Sequence, residues 1–261
     1  MQDRIIGRRD GAVGRLVVNQ PDKRNAVSLD MWQAAGTVLE DLASDDAVRV
    51  VVIAGAGGQA FVSGADISRF EEERASAGAV AQYDQITTRV FDRLATLPKP
   101  TIAQIQGSCV GGGVGLAACC DLRICNASAR FGIPAARLGV GYGYGGIKRL
   151  VDLIGPALTK EVFFTARLFS AEEALQMGLV NRVVPDDEIE TYVADFAATI
   201  GDNAPLTIAA VKAIVGEALK DPRARDLALC ERLVDACNAS RDYVEGRRAF
   251  MEKRRPRFVG A

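Results

Sequence analysis

The glycine run Gly111-Gly112-Gly113 and the alanine-rich stretch behind it, Leu116-Ala117-Ala118, are the first candidates for chemistry in this chain. A glycine-rich turn that enters a helix leaves the first N–H groups of that helix without internal acceptors, and the helix dipole there favours negative charge. Glycine at position 112 also lets a ligand approach the backbone closely. Such a turn can steady an anion that develops during a reaction. It can equally be a tight turn and nothing more, which is the commoner outcome for a lone glycine run. Proton transfer is restricted by one count: the chain has no histidine. This removes Ser-His-Asp and Cys-His catalysis within one chain, the commonest metal ligand and the usual base near neutral pH. Acid–base work falls to carboxylates, tyrosine, lysine or water. The six cysteines, Cys109, Cys119, Cys120, Cys125, Cys230 and Cys237, form no CxxC pair. They read as small buried hydrophobes in a reducing compartment, and no metal site is expected.

The elements that position these groups follow from length and pattern. The chain has 261 residues and a formal net charge of −1. That length supports a substantial core, and the charge balance argues against a nucleic-acid partner. No apolar run approaches the roughly 20 residues that span a bilayer, and the start, Met1-Gln2-Asp3-Arg4, has no signal-peptide character. The expectation is a cytoplasmic protein without a membrane partner. Residues 4–9 and 13–18 predict a hairpin turning at Asp10-Gly11. Ser28 stands where it can cap a helix bearing Trp32, Ala35, Leu39 and Leu42 on one face. Val50-Val51-Val52-Ile53 predicts a buried strand. A glycine-rich loop, 54–66, and a charged stretch, Glu71-Glu72-Glu73-Arg74, come next. Tyr83, Ile86, Val90, Leu94 and Leu97 predict a helix, Thr101 to Ile105 a strand, and 122–125, 130–133 and 180–184 further strands. Ser170-Ala171-Glu172-Glu173 reads as a capping box with Gly178 as the stop. Strands alternating with helices up to about residue 185 predict an α/β fold with parallel pairing. Beyond it the chain reads as helical to about Lys253, with apolar faces such as Ile208, Val211, Ile214 and Val215 that need a surface to cover them.

Three segments together resemble the enoyl-CoA hydratase/isomerase (crotonase) superfamily: Lys23-Arg24-Asn25-Ala26, Ala60-Phe61-Val62-Ser63-Gly64-Ala65-Asp66-Ile67, and Gly107 to Gly113 followed by Ala117 to Asp121. Further matches at Ser170–Ala174, Gly178–Asn181 and Glu245–Arg254 extend the likeness over nearly the whole chain, in order. The resemblance implies a spiral of ββα units at residues 1–200, carrying the CoA-binding and oxyanion-hole loops. A helical region at residues 201–261 would then build a homotrimer or a dimer of trimers. It implies a coenzyme A thioester as substrate, with no permanently bound cofactor. The backbone N–H groups of Ala65 and Gly112 would form the oxyanion hole. CoA would pass Lys23, Arg24, Ala26, Ser63, Asp66 and Ile67, while Phe250 and Lys253 would reach a neighbouring subunit's CoA.

The sequence also departs from that family. A hydratase uses two glutamates that share a water; the matching positions here are Gly115 and Ala135, the latter after Phe131-Gly132-Ile133-Pro134. A third acidic station falls at Gly143. Neither glycine nor alanine can move a proton, so decarboxylase- or isomerase-type chemistry is favoured over ordinary hydration. Alternatives are a hydratase with displaced acid–base groups and a non-catalytic acyl-CoA-binding protein. Gly139-Val140-Gly141-Tyr142 resembles the methylmalonyl-CoA decarboxylase branch, which makes Tyr142 a candidate catalytic group. That branch carries a histidine at the position of Ala65 and a glutamate at that of Gly115. Arg137, Lys148 and Arg149 lie nearby and could hold a substrate carboxylate, although a surface salt bridge is the more usual fate.

Overall fold

The computed structural model describes residues 3–69, 73 and 75–261. The turn at Asp10-Gly11 produces the expected antiparallel hairpin of β1 (Ile5–Asp10) and β2 (Val13–Val18), with Ile5 opposite Val18. α1 (Leu29–Ser44) buries Met31, Trp32, Ala35, Leu39 and Leu42. Ser28 occupies its N-cap position but does not cap it with its side chain; the hydroxyl donates to Asp30 instead. The Leu29 N–H is taken by Glu73, at 3.0 Å. Glu71, Glu72 and Arg74 lie outside the described residues, as do Met1 and Gln2.

β3 (Val50–Gly55) shows why its sequence lacks alternation. Val51 and Ile53 face the main core, while Val50 and Val52 meet Ile189, Val193 and Ala197 on the opposite side. A strand covered on both faces gains from an apolar side chain at every position. β4 (Ala60–Val62) follows, then α2 (Ala77–Ala95), β5 (Thr101–Ile105), β6 (Ser108–Val110) and α3 (Gly112–Ala118). The pattern repeats with β7 (Leu122–Asn126), β8 (Arg130–Gly132), α4 (Ala135–Leu138) and α5 (Tyr144–Thr165). β9 (Phe169–Ser170), α6 (Ala171–Gln176), β10 (Arg182–Val184) and α7 (Ile189–Gly201) complete the core. The capping box at Ser170 and Glu173 forms as expected.

From β3 to β8, successive strands alternate between two sheets. The larger sheet runs β1-β2-β3-β5-β7-β10, parallel from β2 onward; the smaller runs β4-β6-β8-β9. β3, β5 and β7 are each followed by a short strand in the other sheet and then by a helix, which is the expected ββα spiral. The short strands β4 and β6 were hidden in stretches that read as glycine-rich loops. α5 was hidden as well, by the glycines at 141–146 and by Pro156, which sits at an internal kink beside Gly155 (φ 76°).

α8 (Pro205–Ala218), α9 (Leu227–Asn238) and α10 (Arg241–Met251) form the C-terminal region. Val211, Val215, Leu219, Val234, Tyr243 and Val244 stay exposed on them. The final residues fold back: Asp242 accepts the N–H groups of Val259 and Gly260, both at 2.8 Å, and Arg49 donates to the carbonyl of Phe258 at 2.7 Å. The Arg254 guanidinium beside Glu245 pulls that carboxyl down to about 2. No described helix is long and apolar enough to cross a membrane. Four cysteines are buried and two, Cys230 and Cys237, half-buried; burial pushes the Cys119 and Cys125 thiols up to about 12.

Arg123 is only 4% exposed and has no ion pair among the described residues. Its guanidinium donates to the carbonyls of Leu179 (2.9 Å) and Cys120, and so sits at the C-terminal end of α3, where the dipole favours a cation. Arg123→Ala is expected to lower stability by about 3 kcal/mol, because buried carbonyls lose a charged donor. Urea unfolding of the purified variant measures this.

Candidate active site

The site begins where β4 and β6 end side by side, with Val62 opposite Cys109. Both strands run into glycine turns in the left-handed region, Gly64 at φ 111° and Gly111 at φ 55°. The turns touch: a Cβ placed on Gly111 would lie 3.8 Å from the Gly64 Cα. Val27 forms a parallel bridge to the first turn, donating to the Gly64 carbonyl (2.8 Å) and accepting from the Asp66 N–H (3.0 Å). Successive peptide groups alternate in direction, so the Ala65 N–H between them faces away from Val27. In α3 the Gly115 N–H is the first to reach back, to the Gly111 carbonyl at 3.2 Å; the N–H of Gly112 precedes it and has no intrahelical acceptor. Among the described residues neither the Ala65 nor the Gly112 N–H has a hydrogen-bond acceptor. The structure therefore brings these two residues together on adjoining turns.

Gly113 fixes the seating of that helix. A Cβ there would lie 2.2 Å from the Val62 carbonyl oxygen, so the first turn of α3 rests directly on β4. Gly112 is different: its Cβ would meet only Trp32 Cζ2, at an ordinary 3.5 Å.

Gly112 and Gly115 lie three apart and share one face of α3. That face is walled by aromatic rings. Trp32 stacks edge-on against Phe91, with centroids 5.3 Å apart, and its Nε1 donates to the Tyr83 hydroxyl at 3.1 Å. A Cβ on Gly115 would lie 2.9 Å from Phe91 Cε2 and 3.6 Å from the Tyr142 hydroxyl oxygen. Tyr142 packs edge-on against Phe163 at 4.9 Å. Gly112, Gly115, Phe91 and Tyr142 are all half-buried, so the face remains accessible. Burial pushes the Tyr142 phenol up to about 12, which keeps it a neutral O–H donor at physiological pH. Sequence reasoning missed Phe91 and assigned Trp32 only to the core. The available signal was the doublet Val90-Phe91, which widens the apolar stripe of α2 beyond its Val90–Leu94 seam.

The three stations without acids differ in setting. Gly115 is covered by rings, Ala135 is buried at the start of α4, and Gly143 faces open space. Of the nearby cations, Lys148 pairs with Asp152 at 2.5 Å and Arg149 pairs with Asp92. Arg137 has no ion pair among the described residues.

The Lys23–Ala26 turn abuts the Ala65 loop. Asn25 is fully buried at φ 56°, and its amide donates to the carbonyls of Ala56 (2.9 Å) and Ala60 (2.7 Å). Lys23 Nζ donates to Asp66 and to the Ser68 hydroxyl, each at 2.8 Å, so this cation is already engaged. Arg24 is exposed in the left-handed region, with no ion pair among the described residues. Ser63 donates weakly to the Lys23 carbonyl (3.4 Å), Ala26 is buried and Ile67 exposed. Phe250 and Lys253 are exposed at the end of α10, and no hydrogen bond or ion pair among the described residues joins them to these loops.

The family model described as enoyl-CoA hydratase/isomerase matches residues 8–261. The chain belongs to the enoyl-CoA hydratase/isomerase family. It is 34% identical to the short-chain-enoyl-CoA hydratase of Clostridium acetobutylicum, over 96% of this chain and 95% of that protein. It is 35% identical to the carnitinyl-CoA dehydratase of Proteus mirabilis, over 96% of each. Among solved structures, an enoyl-CoA hydratase/carnitine racemase from Magnetospirillum magneticum superposes with a TM-score of 0.93 at 37% identity, covering 100% of this chain and 97% of that one. Family membership and the fold expected from the sequence therefore stand together.

Two tests follow from this geometry. Gly113→Ala is expected to destabilise the fold by about 1–3 kcal/mol, since backbone must move, whereas Gly112→Ala folds normally; thermal unfolding distinguishes them. Asp66 supplies a pH test. Burial would raise its carboxyl, but Lys23 and the Ser68 hydroxyl outweigh burial and hold it below the ordinary 3.8. A depressed folded-state value gives stability that is full above 3.8 and lost as pH falls through the lower folded value. The stability gap between wild type and Asp66→Asn should therefore narrow with acidification below that point in a pH series of urea melts.

Proposed function

We propose that this family member transforms an acyl-CoA thioester by stabilising its enolate between the N–H groups of Ala65 and Gly112, with decarboxylase- or isomerase-type chemistry in preference to hydration. The observation that carries the reading is the pair of adjoining turns whose Ala65 and Gly112 N–H groups have no acceptor among the described residues, set in a chain with no carboxylate at positions 115, 135 or 143. Two such donors aimed at a developing oxyanion are each worth about 2.7–4 kcal/mol in the transition state. In decarboxylation of a malonyl-type thioester, the bond from the α-carbon to the carboxylate breaks and its electron pair passes into the enolate. CO₂ departs, and a proton later adds at the α-carbon. No base is required. The apolar wall of Phe91 and Tyr142 disfavours the charged carboxylate relative to neutral CO₂. Tyr142, neutral at working pH, can orient the carboxylate or deliver the proton but cannot abstract one.

The names of the relatives favour a second reading, hydration through displaced acid–base groups. The missing carboxylates also suit a non-catalytic acyl-CoA-binding protein. The exposed apolar residues of α8–α10 support assembly into a homotrimer or dimer of trimers.

Crotonyl-, methylmalonyl-, ethylmalonyl- and 3-enoyl-CoA, screened by mass spectrometry after chromatography that resolves double-bond isomers, separate these readings. Malonyl-type decarboxylation or double-bond migration is expected, with crotonyl-CoA hydration far slower than in a two-glutamate relative; fast hydration overturns the proposal. Binding of thioesters at micromolar concentration without any turnover supports the binding-protein reading instead. Gly112→Pro, which deletes one donor, should abolish turnover in a folded protein. Tyr142→Phe should reduce it, and unchanged turnover removes Tyr142 from the mechanism.

A further inference from the structure

Position 115 is where the face of α3 that carries Gly112 would present its next side chain to a substrate. The volume in front of it is occupied, and the occupant comes from another helix. A Cβ on Gly115 would stand 2.9 Å from Cε2 and 3.2 Å from Cζ of Phe91. The ring cannot retreat freely, because Trp32 holds it edge-on at 5.3 Å and 88°. Trp32 is itself fixed by its bond to the Tyr83 hydroxyl and lies against Gly112. Phe91 also differs from its helix neighbours. Val90 and Leu94 are fully buried, whereas Phe91 keeps part of its surface open, as a ring facing a cleft does and a core ring does not.

We propose that Phe91 is a specificity-determining residue of the acyl pocket: its ring takes the space in front of Gly115 and limits the acyl group seated beside Ala65 and Gly112 to a short one. This rests on the acyl-CoA reading given above. The same packing means that any side chain installed at position 115 must displace the ring. An acyl chain extending along this face meets the edge of Phe91 and the hydroxyl end of Tyr142, so added methylenes find no room.

The test uses the whole protein and saturated acetyl-, butyryl-, hexanoyl- and octanoyl-CoA as probes, with affinities from isothermal titration calorimetry. Each methylene newly admitted to an apolar pocket tightens binding about fourfold. Phe91→Ala should therefore raise the octanoyl-to-acetyl affinity ratio more than tenfold over wild type, with Phe91→Leu intermediate and available should the alanine variant fail to fold. Gly115→Val should lower the hexanoyl-to-acetyl ratio, and Phe91→Ala in the same chain should bring it back, since the two positions share one volume. An unchanged ratio in folded Phe91→Ala and Phe91→Leu overturns the assignment while leaving the acyl-CoA reading intact. If no acyl-CoA binds wild type at millimolar concentration, the acyl-CoA reading fails and the assignment falls with it.

Discussion

The first turn of α3 lies against strand β4 because residue 113 has no side chain. With the Val62 carbonyl only 2.2 Å from where a Cβ would be, no other residue permits this seating. Everything at the candidate site depends on that approach. It draws the start of a helix, with its unpaired N–H groups, next to the turn that follows β4. It also sets Gly112 and Gly115 on the open face of α3. Arg123 secures the opposite end of the same seven-residue helix by donating to the carbonyls of Cys120, just past that end, and of Ala117 (3.5 Å). A helix this short is marginal alone, and it is held from both ends by tertiary contacts.

The chemistry follows from what surrounds that face. A two-carboxylate site would place proton donors on both sides of the reacting carbon. Here positions 115, 135 and 143 hold a covered glycine, a buried alanine and an open glycine, and rings from α2 and from the segment before α5 fill the space at Gly115. Such a wall cannot shuttle protons, but it excludes water and penalises a buried charge. In the proposed reaction, backbone donors beside an apolar wall would receive the charge that moves onto the thioester oxygen.

Charged groups are spent mainly on holding loops. Lys23 is tied to Asp66 and Ser68, Lys148 to Asp152 and Arg149 to Asp92, leaving Arg24 and Arg137 without ion pairs among the described residues. The exposed pairs among these, such as Lys148 with Asp152, contribute little to stability, typically about 0.2–1 kcal/mol. Their effect is to fix where segments lie. Asp92 is adjacent to Phe91 and Arg149 lies within α5, so that pair joins the two helical regions that supply the rings.

The sequence by itself determined the family, the α/β spiral and the two turns. Glycines at 64 and 111–113, the Asp10-Gly11 hairpin and the unbroken β-branched run at 50–53 each have local physical causes. It also determined which proton-transfer groups are absent, since a glycine or alanine at 115, 135 and 143 holds no proton in any conformation. Only the tertiary structure decided what occupies the vacated space. Phe91 and Gly115 are joined by no sequence periodicity, and their contact arises because α2 and α3 pack across the core. The same holds for the strand character of β4 and β6, which comes from pairing in a second sheet and not from their own short, glycine-bounded sequences. It holds too for Ser28, whose capping role passed to Glu73, a residue distant in the chain. Local chemistry is written in the order of residues; the filling of a cavity depends on long-range packing, which that order specifies only through the fold.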